Sequence, residues 1–361
     1  MKGARSILIS FTASIMLGFG IPSIATAAAT TWTVTSYGDD PDDASTLRGA
    51  LHAAHDGDTI DLTSLTGAIV LTYGAAQVLR ELPINASITI RGPGPDKLAI
   101  DGNKFSTVFH VFGVTVTISG LTIRNGVGTV DGAVGLGFGG GIRNSGALTL
   151  TDCTISGNSA DGGGAAIFNL PGKTVAIDNC TLSNNTAVAI GEYDTVGGAI
   201  WNSSNDLSDP SLRVSGTVTV TNSTIANNSA NGGAGIYNEG TLVVSDTTVS
   251  GNTATAGFED LGVGGGIIND LFGSVTLTNV TVSNNSAEGL YGYGGGLVTS
   301  NVATVTGSTF SGNSPEAINN DTTLTLTNST IWGNKRDGLV SLGFAPGNGY
   351  GYPQSSVTLV N

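Results

Sequence analysis

The chain has 361 residues, with 13 Lys and Arg against 27 Asp and Glu, for a net charge of −14. That charge excludes nucleic acid and anionic bilayers as partners, because both would repel it. With 55 Gly, 11% charged and 39% hydrophobic residues, the composition excludes a helical protein and a disordered chain and leaves a Gly-punctuated β protein.

Residues 1–27 read as a secretory signal. Lys2 and Arg5 give a positive start, a short apolar run covers 7–19, and Ala25-Thr26-Ala27 fits the small-x-small cleavage rule. The run is shorter than the about 20 residues that a membrane span needs, and no later stretch is apolar enough to cross. The expected product is secreted or held at the cell surface; without the leader, 11 basic residues against 27 acidic ones leave −16.

Residues 28–115 are expected to form an N-terminal cap and the first coils of a repetitive structure. Asp43 or Ser45 can N-cap a helix over 46–55, with Leu47, Ala50, Leu51 and Ala54 on one face. Such a face suits closing the open end of an apolar stack. His52 and His55 lie on or beside this helix without metal-like spacing.

Residues 116–340 carry the repeat, and self-similarity decides the fold. One segment recurs eight times: VTISGLTI (116–123), LTLTDCTI (148–155), VAIDNCTL (175–182), VTVTNSTI (218–225), LVVSDTTV (242–249), VTLTNVTV (275–282), ATVTGSTF (303–310) and LTLTNSTI (324–331). Seven copies are followed two residues later by Asn (Asn158, Asn185, Asn228, Asn252, Asn285, Asn313, Asn334); the first has Asn125 one place early. A second unit, GG-(G/A)-I-x-N, sits between copies as GGGIRN (139–144), GGAIWN (197–202) and GGGIIN (264–269), with looser forms ending at Asn169 and Asn238. Equivalent positions from Ile155 onward are 27, 43, 24, 33, 28 and 21 residues apart. A fixed pattern on a variable period means fixed strands joined by loops of changing length.

Alternation supplies the physics. Leu148 and Leu150 point one way, Thr149 and Thr151 the other. Asp152 stands in a column reading Gly, Asp, Asn, Asn, Asp, Asn, Gly, Asn, residue types that accept a left-handed backbone and bend the strand. Beyond the bend Cys153 and Ile155 face in. One unit cannot bury its apolar row alone, so units must stack about 4.8 Å apart. The fold expected is an all-β, right-handed parallel β-helix with a short N-terminal capping helix, and the Asn column is expected to be a structural ladder. The tail, 341–361, is Gly- and Tyr-rich with no evident cap.

These units resemble secreted right-handed parallel β-helix proteins. The paired GGxI and xxN signals are similar to the repeats of chlamydial polymorphic outer-membrane proteins, with Ile, Leu or Val where those place Phe. STLRGALHAAHDGDTIDL (45–62) is similar to the Cys-Ser-Leu-Arg-Glu-Ala segment opening many bacterial surface proteins, without the Cys and with Gly49 for Glu. ITIRGPGPDKLAIDG (88–102) is similar to their first coils. The resemblance covers about residues 30–340 and implies a fold that hosts lyases, hydrolases, adhesins and phage spikes alike.

Chemistry has several candidate seats. Cys153 and Cys180 share a column on adjacent coils, with Cα atoms about 4.8 Å apart, which fits a disulfide and equally fits two buried thiols. The position after the GGxI Ile reads Arg143, Phe168, Trp201, Tyr237, Ile268, Val298; facing outward, its three aromatics would be a platform for sugar rings, and otherwise they pack beneath loops. Insertions at 126–138, 187–196, 253–263 and 286–293 must share one edge. There Tyr193, Tyr291 and Tyr293 suit glycan contact, while Glu192, Asp194, Glu259 and Asp260 could hold Ca²⁺, although no calcium-binding nonapeptide occurs. A separate insertion, 203–216, lies at another corner. Thr fills all eight positions of the Thr154 column, and TxT rows mark another face, an array that would suit ice. Arg124, Arg143 and Lys173 are the basic residues near the central coils that a lyase could use. The Gly-His-Gly signature of polygalacturonase-type hydrolases and the Arg-x-Pro-x-Arg of pectate lyases do not occur. The reading favoured by the residues is a glycan-binding or adhesive scaffold for a polysaccharide or a host or cell-surface glycan; the alternative is a polysaccharide lyase or glycoside hydrolase working in the groove beside the aromatic column.

Overall fold

The computed structural model describes residues 28–73, 81–130, 137–188, 194–204, 213–257, 261–341 and 355–360. The signal segment lies outside these residues, as do Glu192, Tyr193, Glu259 and Asp260.

The chain winds into a right-handed parallel β-helix. Three long sheets run along its axis: a first of twelve strands and a second and third of ten each, with a short five-stranded sheet at one corner. One coil shows the path. Ala147–Thr151 lies in the first sheet, Thr154–Ser156 in the second, Ser159–Ala160 in the short sheet and Ile167–Asn169 in the third; Thr174–Asp178 then pairs on Ala147–Thr151 one coil further along. Among the described residues the one antiparallel pair is Thr129–Val130 against Gly137–Phe138, inside an insertion.

The bends are where residue chemistry places them. Gly120, Asp152, Asn179, Asn222, Asp246, Asn279, Gly307 and Asn328 all have φ between 48° and 64°, the left-handed region that Gly, Asn and Asp tolerate. A second left-handed column, Asn125, Gly157, Asn184, Asn227, Gly251, Asn284, Gly312 and Gly333, turns the chain out of the second sheet. The Gly-Gly signal has a steric origin. Gly197 has φ 66° and a Cβ there would stand 2.5 Å from the Ile200 carbonyl oxygen, so only glycine fits.

Inside, one continuous apolar core runs the length of the stack, with columns such as Ile155, Leu182, Ile225, Val249, Val282 and Phe310 fully buried. Each such side chain is worth about 1.5–3 kcal/mol of burial. Polar ladders line the corners. Along the first, each Asn of the series from Asn158 to Asn313 donates its Nδ2 to the next Asn Oδ1 at 2.9–3.1 Å, and that same oxygen also accepts the backbone N–H of the preceding Asn. A second ladder, Asn144–Asn169–Asn202–Asn238–Asn269, runs beside the third sheet with amide bonds of 2.7–2.9 Å. The ladder amides are thereby satisfied within the stack.

A third ladder takes in the two cysteines as thiols, one of the two alternatives that their shared column allows. Cys153 and Cys180 are free and buried. Each sulfhydryl donates to a carbonyl two residues back, to Thr151 and Asp178 respectively, and the Cys180 Sγ accepts the Cys153 N–H at 3.3 Å. Ser223 and Thr247 continue the file with hydroxyls in the same two roles. The thiols stand in hydroxyl positions, and contact with Cys153 together with burial pushes the Cys180 thiol far above its ordinary value.

At the N-terminal end a helix, Leu47–Ala53, lays Leu47, Ala50 and Leu51 onto the core, with Ala54 packed at its margin. Its N-cap is Thr46, whose hydroxyl accepts the Gly49 N–H at 3.1 Å, rather than Asp43 or Ser45. Asp43 instead accepts the Ser45 N–H just upstream. At the other end the tail is not featureless, since Ser356–Val360 adds the twelfth strand to the first sheet.

Candidate functional site

The outer surface of the third sheet carries the row in question. His110, Arg143, Phe168, Trp201, Tyr237, Ile268, Val298 and Asn319 pair in register on successive coils. Alternation does point them away from the core, but insertion residues cover part of the row. Phe138 stacks on Phe168 at 4.9 Å and leans on Trp201 at 5.6 Å. Phe168 is therefore fully buried and is corrected from a ligand contact to a packing residue. Trp201 and Tyr237 stay half-buried, edge to face at 6.3 Å.

Beyond Tyr237 the cover opens into a recess of about 240 Å³. Tyr237, Ile268 and Val298 of the row form its floor, Asp194, Val263 and Tyr293 come from the loop edge, and Asp270 and Ser300 come from the turn that follows the strands. The stacked bridges Gly163–Val196–Gly232–Val263–Tyr293 hold that loop edge in register, as the shared position of the insertions requires. The structure thus brings together Tyr237, Tyr293 and Asp194 from the candidates read in the sequence. Tyr291 stands apart on the loop surface, 67% exposed.

The column immediately after the second Asn ladder supplies groups that the sequence reading passed over. It runs Ser203, Glu239, Asp270, Ser300, Asp321, one residue per coil. The Tyr237 hydroxyl donates to Asp270 Oδ2 at 2.9 Å, and the Ser300 hydroxyl to Asp321 Oδ2 at 3.2 Å. Glu239 accepts from the Ser203 hydroxyl and the Ser204 N–H. The signal that would have found this column is the Asn–acid pair repeated at 238–239, 269–270 and 320–321.

Burial dominates the electrostatics of Tyr237, Tyr293, Glu239 and Asp321. Burial, then Asp270 and Glu239, push the Tyr237 phenol up; burial, Asp321 and Asp270 do the same to Tyr293. Burial raises Glu239 against the opposing hydrogen bonds of Ser204 and Ser203, and raises Asp321 against that of Ser300. Among the described residues neither Lys nor Arg lines the recess.

The three basic candidates are not brought together. Arg124 lies on the second sheet, its Nε 2.9 Å from Asp101; Arg143 lies on the third, three coils from Tyr237 of the recess floor; Lys173 sits in the turn between third and first sheets. A lyase centre built from these three has no common site. Among the described residues no group of three or more His, Cys, Asp or Glu is placed to hold a metal; of the calcium candidates only Asp194 is described. The TxT file on the first sheet is in register but broken by exposed Ala176 and Val243.

No curated protein matches the sequence. Among solved structures, pectate lyase Pel9A is similar with a TM-score of 0.51 and 13% identity, over 89% of this chain and 80% of that one. The A-module of the Azotobacter vinelandii mannuronan C-5 epimerase AlgE4 gives 0.39 and 11%, over 86% and 93%. The catalytic unit of the GH87 alpha-1,3-glucanase from Streptomyces thermodiastaticus strain HF3-3 gives 0.36 and 13%, over 93% and 68%. At these identities the likeness is one of fold. The model of the right-handed β-helix region matches residues 87–269, the stretch whose ladders and bends were described above, and the chain belongs to that family.

Proposed function

We propose that this is an exported glycan-binding protein, displayed or released at the cell surface, whose ligand lies along the outer face of the third sheet. The observation that carries the reading is the pairing, in one recess, of half-buried Tyr237 and Tyr293 with the carboxylate of Asp270. Aromatic surface offers sugar rings an apolar face, and phenol, hydroxyl and carboxyl groups around it match a ligand rich in hydroxyls. The pectate lyase that shares the fold acts, by its name, on a polysaccharide, which points the same way. An adhesive role would follow if the bound glycan belongs to another cell.

The test is affinity electrophoresis of the chain without residues 1–27 through gels containing neutral or uronic polysaccharides, with and without chelator. Retardation on at least one neutral polysaccharide is expected, abolished by Tyr293→Ala and weakened by Trp201→Ala. Unretarded migration through every gel overturns the reading, and retardation that chelator removes assigns the loop carboxylates to calcium.

A further inference from the structure

A second recess lies beside the first, at the corner between the second and third sheets; Tyr293 lines one and Gly292 the other. Small residues fill this corner along most of the stack. Ser229, Thr253, Ser286 and Ser314 pair coil on coil, with Ala230, Ala254 and Ala287 beside them. One coil further on the pattern breaks. The Lys335 N–H donates to the Asn313 carbonyl as the Ser314 N–H does to that of Asn285, so Lys335 continues the serine file and Arg336 follows it. They are the one adjacent pair among the 13 Lys and Arg of the chain. Together with Glu288 and the floor residues Ser286 and Ser314 they bound a space of about 400 Å³. The Ser286 hydroxyl donates to Thr253 Oγ1 at 3.3 Å and keeps its acceptor sites. Arg336 reaches Glu316 Oε1 with one nitrogen at 3.8 Å and is otherwise open, its side chain 65% exposed. Among the described residues Lys335 and Glu288 have no ion-pair partner.

We propose that this corner recess binds an acidic sugar, a hydroxylated ring carrying one carboxylate, sulfate or phosphate group. The Arg336 fork and the Lys335 ammonium hold the anionic group, the first by paired N–H donors and the second as a point charge. The Glu288 carboxylate and the hydroxyls of Ser286 and Ser314 hold the ring hydroxyls. The volume exceeds what a bare anion fills and lies in the range of about 300–1,000 Å³ that takes a small organic ligand. Among the described lining residues there is no aromatic ring, and Ala287 and Pro315 are the apolar side chains, so a ligand with an apolar body gains little here. The negative charge of the chain as a whole does not forbid an anion at this corner, because charges further off than about 10 Å are screened at 0.1 M salt. The near carboxyl groups are Glu288 and Glu316, against two cations; Glu316 also accepts the Gly294 N–H at 2.9 Å, and Asp337 follows in the chain without lining the recess. The loop ending at Tyr293 thus divides a recess without cations from one that has two. The proposal stands apart from the glycan-binding reading of the third sheet.

The experiment titrates the chain without residues 1–27 with glucuronate, glucose 6-sulfate, glucose 6-phosphate, glucose and inorganic phosphate, by saturation-transfer NMR and calorimetry. Binding of at least one acidic sugar is expected, more tightly than glucose or inorganic phosphate and more weakly as salt is raised. The acidic sugar that binds identifies the anionic group. Lys335→Gln and Arg336→Gln should each weaken that binding about tenfold or more with an unchanged melting profile, as exposed positions allow. Lys97→Gln, which removes the same charge from an early coil, should leave it unchanged. No binding by any acidic sugar, or an equal loss in Lys97→Gln, overturns the proposal. Glucose binding as tightly overturns the role of the two cations, and inorganic phosphate binding as tightly overturns the sugar. None of these results alters what neutral polysaccharides do in the gels, so the two readings fail separately.

Discussion

Replacing Asn228 by Ala tests whether the buried Asn ladder holds the coils together. The side chain makes four hydrogen bonds: its Oδ1 accepts from Asn185 N and Nδ2 at 3.0 and 2.9 Å, and its Nδ2 donates to the Leu182 carbonyl at 3.1 Å and to Asn252 Oδ1 at 2.9 Å. Two of the partners keep other bonds. Asn185 Nδ2 still reaches the Ile155 and Ser183 carbonyls, and Asn252 Oδ1 still accepts the Asn228 N–H. The Asn185 N–H and one acceptor site on Leu182 are orphaned at a position only 1% exposed, where water does not replace the lost amide. At about 1–3 kcal/mol for each orphaned buried group the cost is about 2–6 kcal/mol. Asn334, at the half-exposed end of the same ladder, makes equivalent bonds, but water can stand in for them, and Asn334→Ala should cost about 0.5–1.5 kcal/mol. Urea unfolding followed by circular dichroism ranks the two variants. Because stacked repeats need not unfold in one step, hydrogen exchange at the Asn185 amide reports the local loss directly. Equal destabilisation at the two sites, or unchanged protection at Asn185, would refute the argument from burial.

The thiol ladder predicts that Cys153→Ser and Cys180→Ser, alone or together, change stability by less than about 1 kcal/mol, and that thiol titration of the denatured, unreduced protein finds two thiols per chain. At the exposed bend of φ 49°, Asp246→Val should cost about 1–2 kcal/mol in thermal unfolding and Asp246→Gly under half of that; equal losses would mean that φ is not what selects the residue. For Glu239, which burial raises above the ordinary glutamate value, the folded state keeps a proton that the unfolded chain releases. Its contribution is therefore lost as pH rises from the unfolded value through the folded one, and Glu239→Gln should flatten that slope in urea titrations. Asp58 has the opposite sign. Bonds from His55 N–H, Trp32 and Thr30 N–H hold it below 3.8, so its contribution is present above that value and fades as pH falls through the folded one, a slope that Asp58→Asn should remove.

Local chemistry made the architecture readable in advance. The bend column needs nothing but the conformational tolerance of Gly, Asn and Asp, and all eight positions have positive φ. The GGxI unit likewise encodes a backbone that a Cβ would obstruct. What the sequence concealed depends on contacts between distant segments. Phe168 faces outward as alternation says, yet Phe138, thirty residues earlier and in an insertion of irregular length, lies on it. The N-cap is not fixed by residue type, because Asp43, Ser45 and Thr46 are all competent caps, and Thr46 is the one whose hydroxyl meets the Gly49 N–H. Glu239, Asp270 and Asp321 escaped notice because each looks like an ordinary turn residue until the coils are set in register.

The three corner ladders also govern how such a molecule can change over generations. Along the asparagine ladder from Asn158 to Asn334 each coil presents the same donors and acceptors to its neighbours, while the thiol and hydroxyl file is interrupted at Val280. Coils with matching rungs can therefore sit on one another. Gaining or losing such a coil leaves the asparagine rungs satisfied, whereas removing part of one strands a rung in the interior. Length is thus free to drift in units of one turn, and the loops between rungs are free to lengthen without disturbing it, as the spacings from 21 to 43 residues record.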